Sequence, residues 1–239
     1  MKRWLEELLG FTEEAQSEEV LFAGIQSKVQ ALGFDYCAYG YCAPLPLSNP
    51  KVVMLSNYPL AWRERYASAG YLHSDLSVLH ARKSQRPLLW SETLFAPARP
   101  MWEEAQAQAQ GLRVGWAQSS LDATGGGSML TLARSAEPLS AKELAKNQTR
   151  MRWLVHAAHL GLGHAIRRSM REQSGIRLTA REVEVLKWTA DGKSAQDVAD
   201  ILTVSKNTVD FHIKNAMAKL QSCNKTATVV QAAMLGYLN

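Results

Sequence analysis

Regularly placed helix-capping residues divide the last quarter of the chain and constrain its fold more than any other feature. Thr179, Ser194 and Ser205 each precede a stretch of periodic apolar residues, and their hydroxyls suit the free amides at a helix start. Glu182 follows Thr179 by three residues, which is the capping-box spacing, and Gly192 is placed to end the first helix. The pattern predicts three short helices in close succession.

The third predicted helix has one apolar and one polar face. Its apolar residues recur at intervals of four, three and four, and we expect them to face a core: Val209, Ile213, Ala216 and Leu220. A fourth helix is expected from about Lys225. Two short helices and a turn before a longer helix form the helix-turn-helix arrangement, whose longer helix lies in the major groove of DNA.

The outward face of the third helix carries candidate DNA contacts. Phe211 is disfavoured in water unless it meets a partner, and the methyl group of thymine is a suitable apolar partner in the groove. Asn207 and Lys214 suit base edges or phosphates. Phosphate contacts are also expected from three further lysines, Lys193, Lys206 and Lys219. The alternative is that Phe211 packs on another helix and the lysines form a solvated face.

Charge is distributed unevenly along the 239 residues. The segment from His164 onward holds eleven of the lysines and arginines but seven acids, so most of the formal net charge of +5 lies there. Such a charge permits nucleic-acid binding, although it does not establish it.

Cysteine content and hydropathy indicate the cellular compartment of the protein. Three cysteines without CxxC spacing favour neither a disulfide framework nor a zinc cluster, so no metal site is expected. No apolar run approaches the length of a secretory or membrane-spanning segment, which predicts a cytoplasmic protein without membrane attachment. The 46% hydrophobic content suits two modest globular domains.

The first two thirds of the chain mix helical and strand patterns. Strands are expected over residues 35–42, 51–57, 114–121 and 128–134, the last two joined by a hairpin across three glycines. Helices are expected after Ser17, over residues 60–69, 75–81 and 101–110, and as a long helix from Ser140. This order predicts a layered α+β domain with antiparallel strands over residues 1–166. A polar stretch predicts a linker over residues 167–176, followed by an all-α domain over residues 177–239.

The segment from Asn57 to Trp90 is rich in aromatic residues and poor in acids. Tyr58, Trp62 and Tyr66 are spaced by four along a predicted helix and its approach, and Asp75 is the acid free to face them. Aromatic walls with a few polar groups are what a pocket for an amphipathic small molecule requires. The same aromatic residues can equally form an ordinary core.

Two motifs resemble the LuxR family of transcriptional regulators. The segment LTAREVEVLKWTADGKSAQDVADILTVSKNTVDFHIKNAMAKL looks like the DNA-binding domain of that family. Its matching positions are Glu182, Leu186, Gly192, Lys193, Ile201, Leu202, Ser205, Thr208, Val209, His212, Asn215, Lys219 and Leu220. The aromatic segment resembles the autoinducer-binding domain of the family's acyl-homoserine-lactone receptors, through Tyr58, Trp62, Tyr66, Asp75 and Trp90.

This resemblance implies an N-terminal α/β/α sandwich that binds an N-acyl-homoserine lactone and no cofactor. Trp62 would donate to the lactone carbonyl and Asp75 would accept the amide N–H. Tyr58 and Thr131 would bind the amide carbonyl, while Tyr66 and Trp90 would form walls around the head group. The implied DNA contacts are Lys193, Lys206, Asn207, Thr208, Asp210, Phe211, Lys214 and Lys219.

The resemblance also implies a homodimer on a palindromic promoter element and activation through RNA polymerase. One alternative is an orphan receptor that responds to exogenous lactones or to another small molecule. A response regulator driven by phosphorylation is disfavoured by the antiparallel hairpins. Catalysis is not expected, because the histidines lie in no GxSxG or HExxH motif.

Four positions depart from the family pattern. Leu76 stands where proline is usual, and Asp210, where lysine or asparagine is common, can accept from cytosine N4. Trp116 replaces a smaller residue and is expected to close one end of the pocket. The segment Trp102–Leu112 is about two residues longer than usual, which rotates a helix by about 200°. Unless a loop absorbs them, side chains of this helix are expected to turn away from the pocket.

Overall fold

A computed structural model describes residues 2–14, 17–108, 112, 114–135 and 138–238. The chain forms two compact units. The first comprises the chain up to Cys42, Val52–Asp122 and Gly126–Arg167. The second comprises Ala43–Lys51, Ala123–Gly125 and the chain from Arg168 onward.

The first unit alternates helices and strands. Its helices are α1 (Lys2–Glu14), α2 (Glu18–Ala31), α3 (Leu60–Ser68), α4 (Leu76–Ala81), α5 (Glu92–Phe95), α6 (Arg99–Gln108) and α7 (Ala141–Ala158). Its strands are β1 (Tyr36–Cys42), β2 (Val52–Ser56), β3 (Leu88–Leu89), β4 (Val114–Leu121) and β5 (Gly127–Arg134). Short 3-10 turns span Tyr71–His73 and Ala96–Ala98. A π turn, His159–Gly163, continues α7 into α8 (His164–Ser174). The four predicted strands are confirmed, while α1, β3 and α5 were not predicted.

The five strands form one antiparallel sheet in the order β2-β1-β5-β4-β3. Side chains alternate between its two faces. The odd-numbered residues of β1, Cys37, Tyr39 and Tyr41, are fully buried, whereas Ala38 and Gly40 are half-buried. One face is therefore a closed core and the other borders accessible space.

Helices cover both faces of this sheet, which makes the α/β/α layering. On the closed face, Ser128 bonds to His159 in the π turn after α7, and α2 packs on β1. On the other face lie α3, α4 and α6, which supply Trp62, Val78 and Met101 to the space above the sheet. The predicted α+β class is confirmed.

Trp116 does not close the pocket, so that expectation is wrong. It pairs with Leu132 across β4 and β5, which places both side chains on the closed face of the sheet. There it is 1% exposed and borders a shallow groove with Leu144 and Arg152. Strand alternation thus sends this large ring to the side opposite to Thr131.

The segment predicted as a linker over residues 167–176 is helical as far as Ser174. The apolar periodicity is lost there because the helix is exposed to solvent, and not because the helix ends. Its charged side chains lie on the helix surface, where Arg168 and Glu172 form an i,i+4 pair at 3.9 Å.

After the last part of α8, the second unit contains the four predicted helices: α9 (Ala180–Ala190), α10 (Ala195–Leu202), α11 (Lys206–Leu220) and α12 (Lys225–Met234). Thr179 and Ser194 each form a complete capping box, with Glu182 and Asp197 respectively. Ser205 accepts from the Thr208 N–H at 3.1 Å and caps α11. The expected apolar face of α11 is buried: Val209, Ile213, Ala216 and Leu220.

Candidate functional site

A cavity of about 520 Å³ lies between the open face of the sheet and α3, α4 and α6. All six residues predicted to bind ligand line it: Tyr58, Trp62, Tyr66, Asp75, Trp90 and Thr131. Its floor is formed by sheet residues with small or flexible side chains, Ala38, Gly40, Met54, Ser56 and Met129. The structure brings together positions that are far apart in the sequence.

The aromatic side chains form one wall of this cavity. Trp62 is 6% exposed and meets Tyr66 edge-on, with ring centroids 5.8 Å apart. Tyr71 completes the cluster at 6.0 Å from both rings. In the described part of the chain the Trp62 indole N–H has no protein hydrogen-bond partner. It is therefore a free donor in an aromatic wall.

Asp75 both caps a helix and borders the cavity. Its Oδ1 accepts from the Ser77 N–H at 2.8 Å, which caps α4, and its Oδ2 accepts from the Tyr66 hydroxyl at 3.0 Å. Burial raises the pKa of this carboxyl, against the hydrogen bonds from Ser77 and Tyr66, which lower it. Among the described residues no cation pairs with it, and Arg82, a potential partner, does not. The carboxylate thus remains an acceptor facing the cavity.

Trp90 is held from two sides. Its indole N–H donates to the Ser77 hydroxyl at 2.9 Å, and its ring meets Phe95 and Trp102 edge-on. A Cβ on Gly115 would lie 2.2 Å from the Trp90 ring, so only glycine fits beneath it. No pattern in the sequence indicates Ser77 and Gly115, because their roles depend on contacts across strands and helices.

The lengthened segment does not turn α6 away from the cavity. Met101, Trp102 and Ala105 line it from α6, and Leu112 lines it from beyond the helix. The expected displacement is therefore wrong for these four residues. The remaining part of the extension, residues 109–111, lies outside the described residues.

The outward face of α11 is the second candidate site. Phe211 is 59% exposed, which contradicts the alternative that it packs on another helix of its unit. Exposed Lys206, Asn207 and Lys214 lie beside it, whereas Thr208 and Asp210 are half-buried. Lys193 is also exposed, two residues before α10. The face combines one large apolar side chain with amide and ammonium donors.

Lys219, predicted to contact phosphate, is engaged inside the second unit. Its ammonium donates to the Glu182 carboxylate at 2.8 Å, and Glu182 is 3% exposed. Burial alone would raise the pKa of Glu182, but the hydrogen bonds from Lys219 and Thr179 outweigh it and lower that pKa. The structure thus gives Lys219 a structural partner 37 positions away in the chain.

His159, in the π turn that continues the long helix, has a structural partner. His159 meets the Ser128 hydroxyl through Nδ1 at 2.7 Å, and burial lowers its pKa. Nearby, the Asp122 carboxylate accepts from Arg167 and from the Tyr41 hydroxyl. Within the described ranges no three His, Cys, Asp or Glu side chains are grouped to hold a metal ion. No helix of those ranges is long and apolar enough to cross a membrane.

Two family descriptions match the chain in succession. Residues 17–162 match the family described as "Autoinducer binding domain". Residues 177–232 match the family described as "Bacterial regulatory proteins, luxR family". The first match contains the cavity and the second contains α9, α10 and α11.

Similar proteins share this arrangement over their full length. The transcriptional activator protein AnoR of Acinetobacter nosocomialis is 42% identical over all of both chains. The quorum-sensing regulator RhlR of Pseudomonas aeruginosa is 34% identical, over 98% of this chain and 96% of its own. SdiA of Escherichia coli, 31% identical, superposes with a TM-score of 0.85 over 100% of this chain and 99% of its own. SdiA in complex with octanoyl-rac-glycerol superposes with a TM-score of 0.84, over 100% and 96%.

Proposed function

Because the chain belongs to the LuxR family of quorum-sensing transcriptional regulators, we propose that it binds an N-acyl-homoserine lactone and regulates transcription as a DNA-bound homodimer. The family membership establishes an autoinducer-binding and a DNA-binding part. The proposal adds the ligand, the residues that hold it and the assembly on DNA.

One observation carries the ligand proposal: the six predicted residues line a single cavity, where the Trp62 indole N–H has no protein partner among the described residues and the Asp75 carboxylate has no cation. Trp62 supplies a free N–H for the lactone carbonyl, and the Asp75 carboxylate supplies an acceptor for the amide N–H. The hydroxyls of Tyr58 and Thr131, which also line the cavity, would donate to the amide carbonyl. Tyr66 and Trp90 form the walls around the head group.

Ligand binding also stabilises the fold in this proposal. A carboxylate that is partly shielded from water and has no cation is costly, and a lactone amide bonded to Asp75 would offset part of that cost. Since a ligand that binds only the folded state stabilises it by mass action, we expect folding and DNA binding both to depend on lactone.

The DNA proposal rests on the exposed face of α11. Asn207, Thr208, Asp210, Phe211 and Lys214 would lie in the major groove, while Lys193 and Lys206 would contact phosphates. A helix-turn-helix homodimer reads two half-sites about one DNA turn apart, so the proposed element is palindromic. AnoR is named a transcriptional activator, which supports activation as the output. The proposal adds that this activation acts through RNA polymerase and takes place in the cytoplasm.

The domain boundaries are part of the proposal: ligand binding in residues 1–166, a connecting segment over residues 167–176 and DNA binding in residues 177–239. The two family matches, 17–162 and 177–232, fall inside the two proposed domains. The connecting segment is helical over most of its length.

A second candidate ligand is a non-lactone acyl compound, as for an orphan receptor. SdiA, which shares the fold over the whole chain, has been solved with octanoyl-rac-glycerol. An acyl glycerol offers hydroxyl donors to Asp75 and carbonyl oxygen to Trp62, so the same cavity groups would bind it.

Co-purification distinguishes these ligands. The full chain would be expressed with and without a lactone synthase, and the bound small molecule identified by mass spectrometry after denaturation. We expect a lactone in the first preparation and lactone-dependent mobility shifts on a palindromic promoter fragment. An acyl glycerol in both preparations, with shifts that do not respond to lactone, would contradict the lactone proposal.

A further inference from the structure

We propose that Gly40 sets the acyl-chain range of the cavity, and that the protein takes lactones whose chain is long enough to pass over this residue, octanoyl or longer. The inference rests on the proposed lactone binding and names the ligand class within it. It follows from how the residues of the cavity floor are arranged across the sheet.

Two rows of residues cross the cavity floor side by side. The strand register places Ser56, Ala38 and Thr131 in the first row, and Met54, Gly40 and Met129 in the second. The first row carries two hydroxyls and the second carries two thioethers on either side of a glycine. A ligand whose amide is held at Thr131 therefore meets the apolar second row with the next part of its chain.

Gly40 leaves a gap in this floor. A Cβ built on Gly40 meets no atom within 4 Å, and its backbone does not have the positive φ that would require glycine. Gly115 is the contrasting case, because there a Cβ would collide with the Trp90 ring. At position 40 the missing side chain creates space next to two flexible methionines, which suits an alkyl chain.

The distance between the two rows gives the minimum length of the acyl chain. Two residues along a strand span about 7 Å, which a butanoyl chain is too short to cover and an octanoyl chain covers. At the β2 end of the second row, Met54 is 45% exposed on the edge of the sheet, so the cavity is open there and does not confine the end of a longer chain. Each methylene buried over Gly40 should strengthen binding roughly fourfold.

The test is Gly40→Val in the full-length protein, since valine suits a strand and fills the gap. Dissociation constants would be measured for butanoyl, octanoyl and dodecanoyl homoserine lactone by competition against a fluorescent lactone. We expect octanoyl and dodecanoyl binding to weaken at least about tenfold, the equivalent of roughly two lost methylenes. Butanoyl binding should match wild type and serves as the internal control.

A second variant and the wild type keep the result interpretable. Gly40→Ala adds one methyl group to open space and should give a smaller loss confined to the longer chains. Equal weakening for all three lactones, or unchanged octanoyl binding in a folded Gly40→Val, would overturn the role of Gly40. A wild type that binds none of the three lactones would instead refute the proposed function.

Discussion

Two carboxylates, one in each unit, show how a structural acid differs from one available to a ligand. Glu182 and Asp75 both take part in capping a helix. Glu182 is neutralised by Lys219 at 2.8 Å, whereas Asp75 has only neutral partners, the Ser77 N–H and the Tyr66 hydroxyl. Burial is thus compensated inside the protein at Glu182 and left partly uncompensated at Asp75.

Two of the three indoles that line the cavity, those of Trp90 and Trp62, repeat this contrast. The N–H of Trp90 is satisfied by the Ser77 hydroxyl, while that of Trp62 has no protein partner among the described residues. The difference teaches that an incompletely satisfied polar group in a cavity indicates binding more specifically than an aromatic composition does.

The largest expected effect is at Lys219. Lys219→Met should leave Glu182 buried without its cation and lower the free energy of unfolding of the DNA-binding part by about 3 kcal/mol. Urea denaturation measures this loss of stability, which should be the same with and without lactone. Exposed Lys214→Met is the matched control, which should keep its stability and lose affinity for DNA. Equal stability of the two variants would contradict the structural role of the ion pair.

Asp75→Asn should weaken lactone binding by about 2 kcal/mol, because a charged acceptor for the amide N–H becomes a neutral amide. Asparagine is also a good helix cap, so the lactone-free protein should remain at least as stable as wild type. Thermal melts with and without lactone separate the two effects. A lowered melting temperature in both conditions, with the lactone-induced shift of wild type, would leave Asp75 a purely structural residue.

Trp62→Phe should weaken lactone binding by about 1 kcal/mol, since it removes one hydrogen bond and keeps an aromatic ring. Trp90→Phe is its counterpart, because it breaks an internal bond to Ser77 and should lower stability without lactone. Reporter titrations at equal soluble protein give the half-maximal lactone dose. An unchanged dose for Trp62→Phe would remove this indole from the head-group site.

The smallest expected effect is on the pH dependence of folding stability, to which the two carboxylates contribute with opposite sign. The pKa of Asp75 is raised in the folded protein. Its carboxyl therefore stabilises the lactone-free fold when the pH is below its ordinary pKa, and this stabilisation is lost as the pH rises through its pKa in the folded protein. The pKa of Glu182 is lowered, so its stabilisation is present above 4.5 and is lost as pH falls through the folded value.

Urea denaturation of wild type, Asp75→Asn and Glu182→Gln between neutral pH and about pH 3, below the ordinary pKa values of both carboxyls, would show both trends. Acidification should raise the free energy of unfolding of wild type relative to that of Asp75→Asn. It should lower the free energy of unfolding of wild type relative to that of Glu182→Gln. Differences that do not change with pH would mean that neither carboxyl titrates abnormally.

Local signals predicted the second unit and only part of the first. Capping residues and apolar periods lie within a few positions of each other, which is why α9 to α12 and the exposed side of Phe211 were predicted correctly. The aromatic spacing predicted Trp62 and Tyr66 on one side of α3. The resemblance, rather than periodicity, distinguished a binding cavity from an ordinary core.

The remaining features depend on pairing between distant segments. Gly40 and Thr131 share a floor because β1 pairs with β5, a register that neither strand specifies alone. The side on which Trp116 lies follows from the same register. The partners Lys219 and Glu182 meet through helix packing, and α1 packs on the distant α7. Such contacts follow from the tertiary fold and leave no local pattern in the sequence.

The alternation of β1 has a consequence for how this receptor can diverge. Its odd positions, Cys37, Tyr39 and Tyr41, are locked into the closed core, while Ala38 and Gly40 border the cavity on the other side. Substitutions at the even positions can therefore accumulate without disturbing the packing that holds the sheet together. One strand thus carries both the residues that keep the fold and the residues that can adapt to a new signal molecule. A duplicated gene can therefore change its ligand specificity while keeping its architecture.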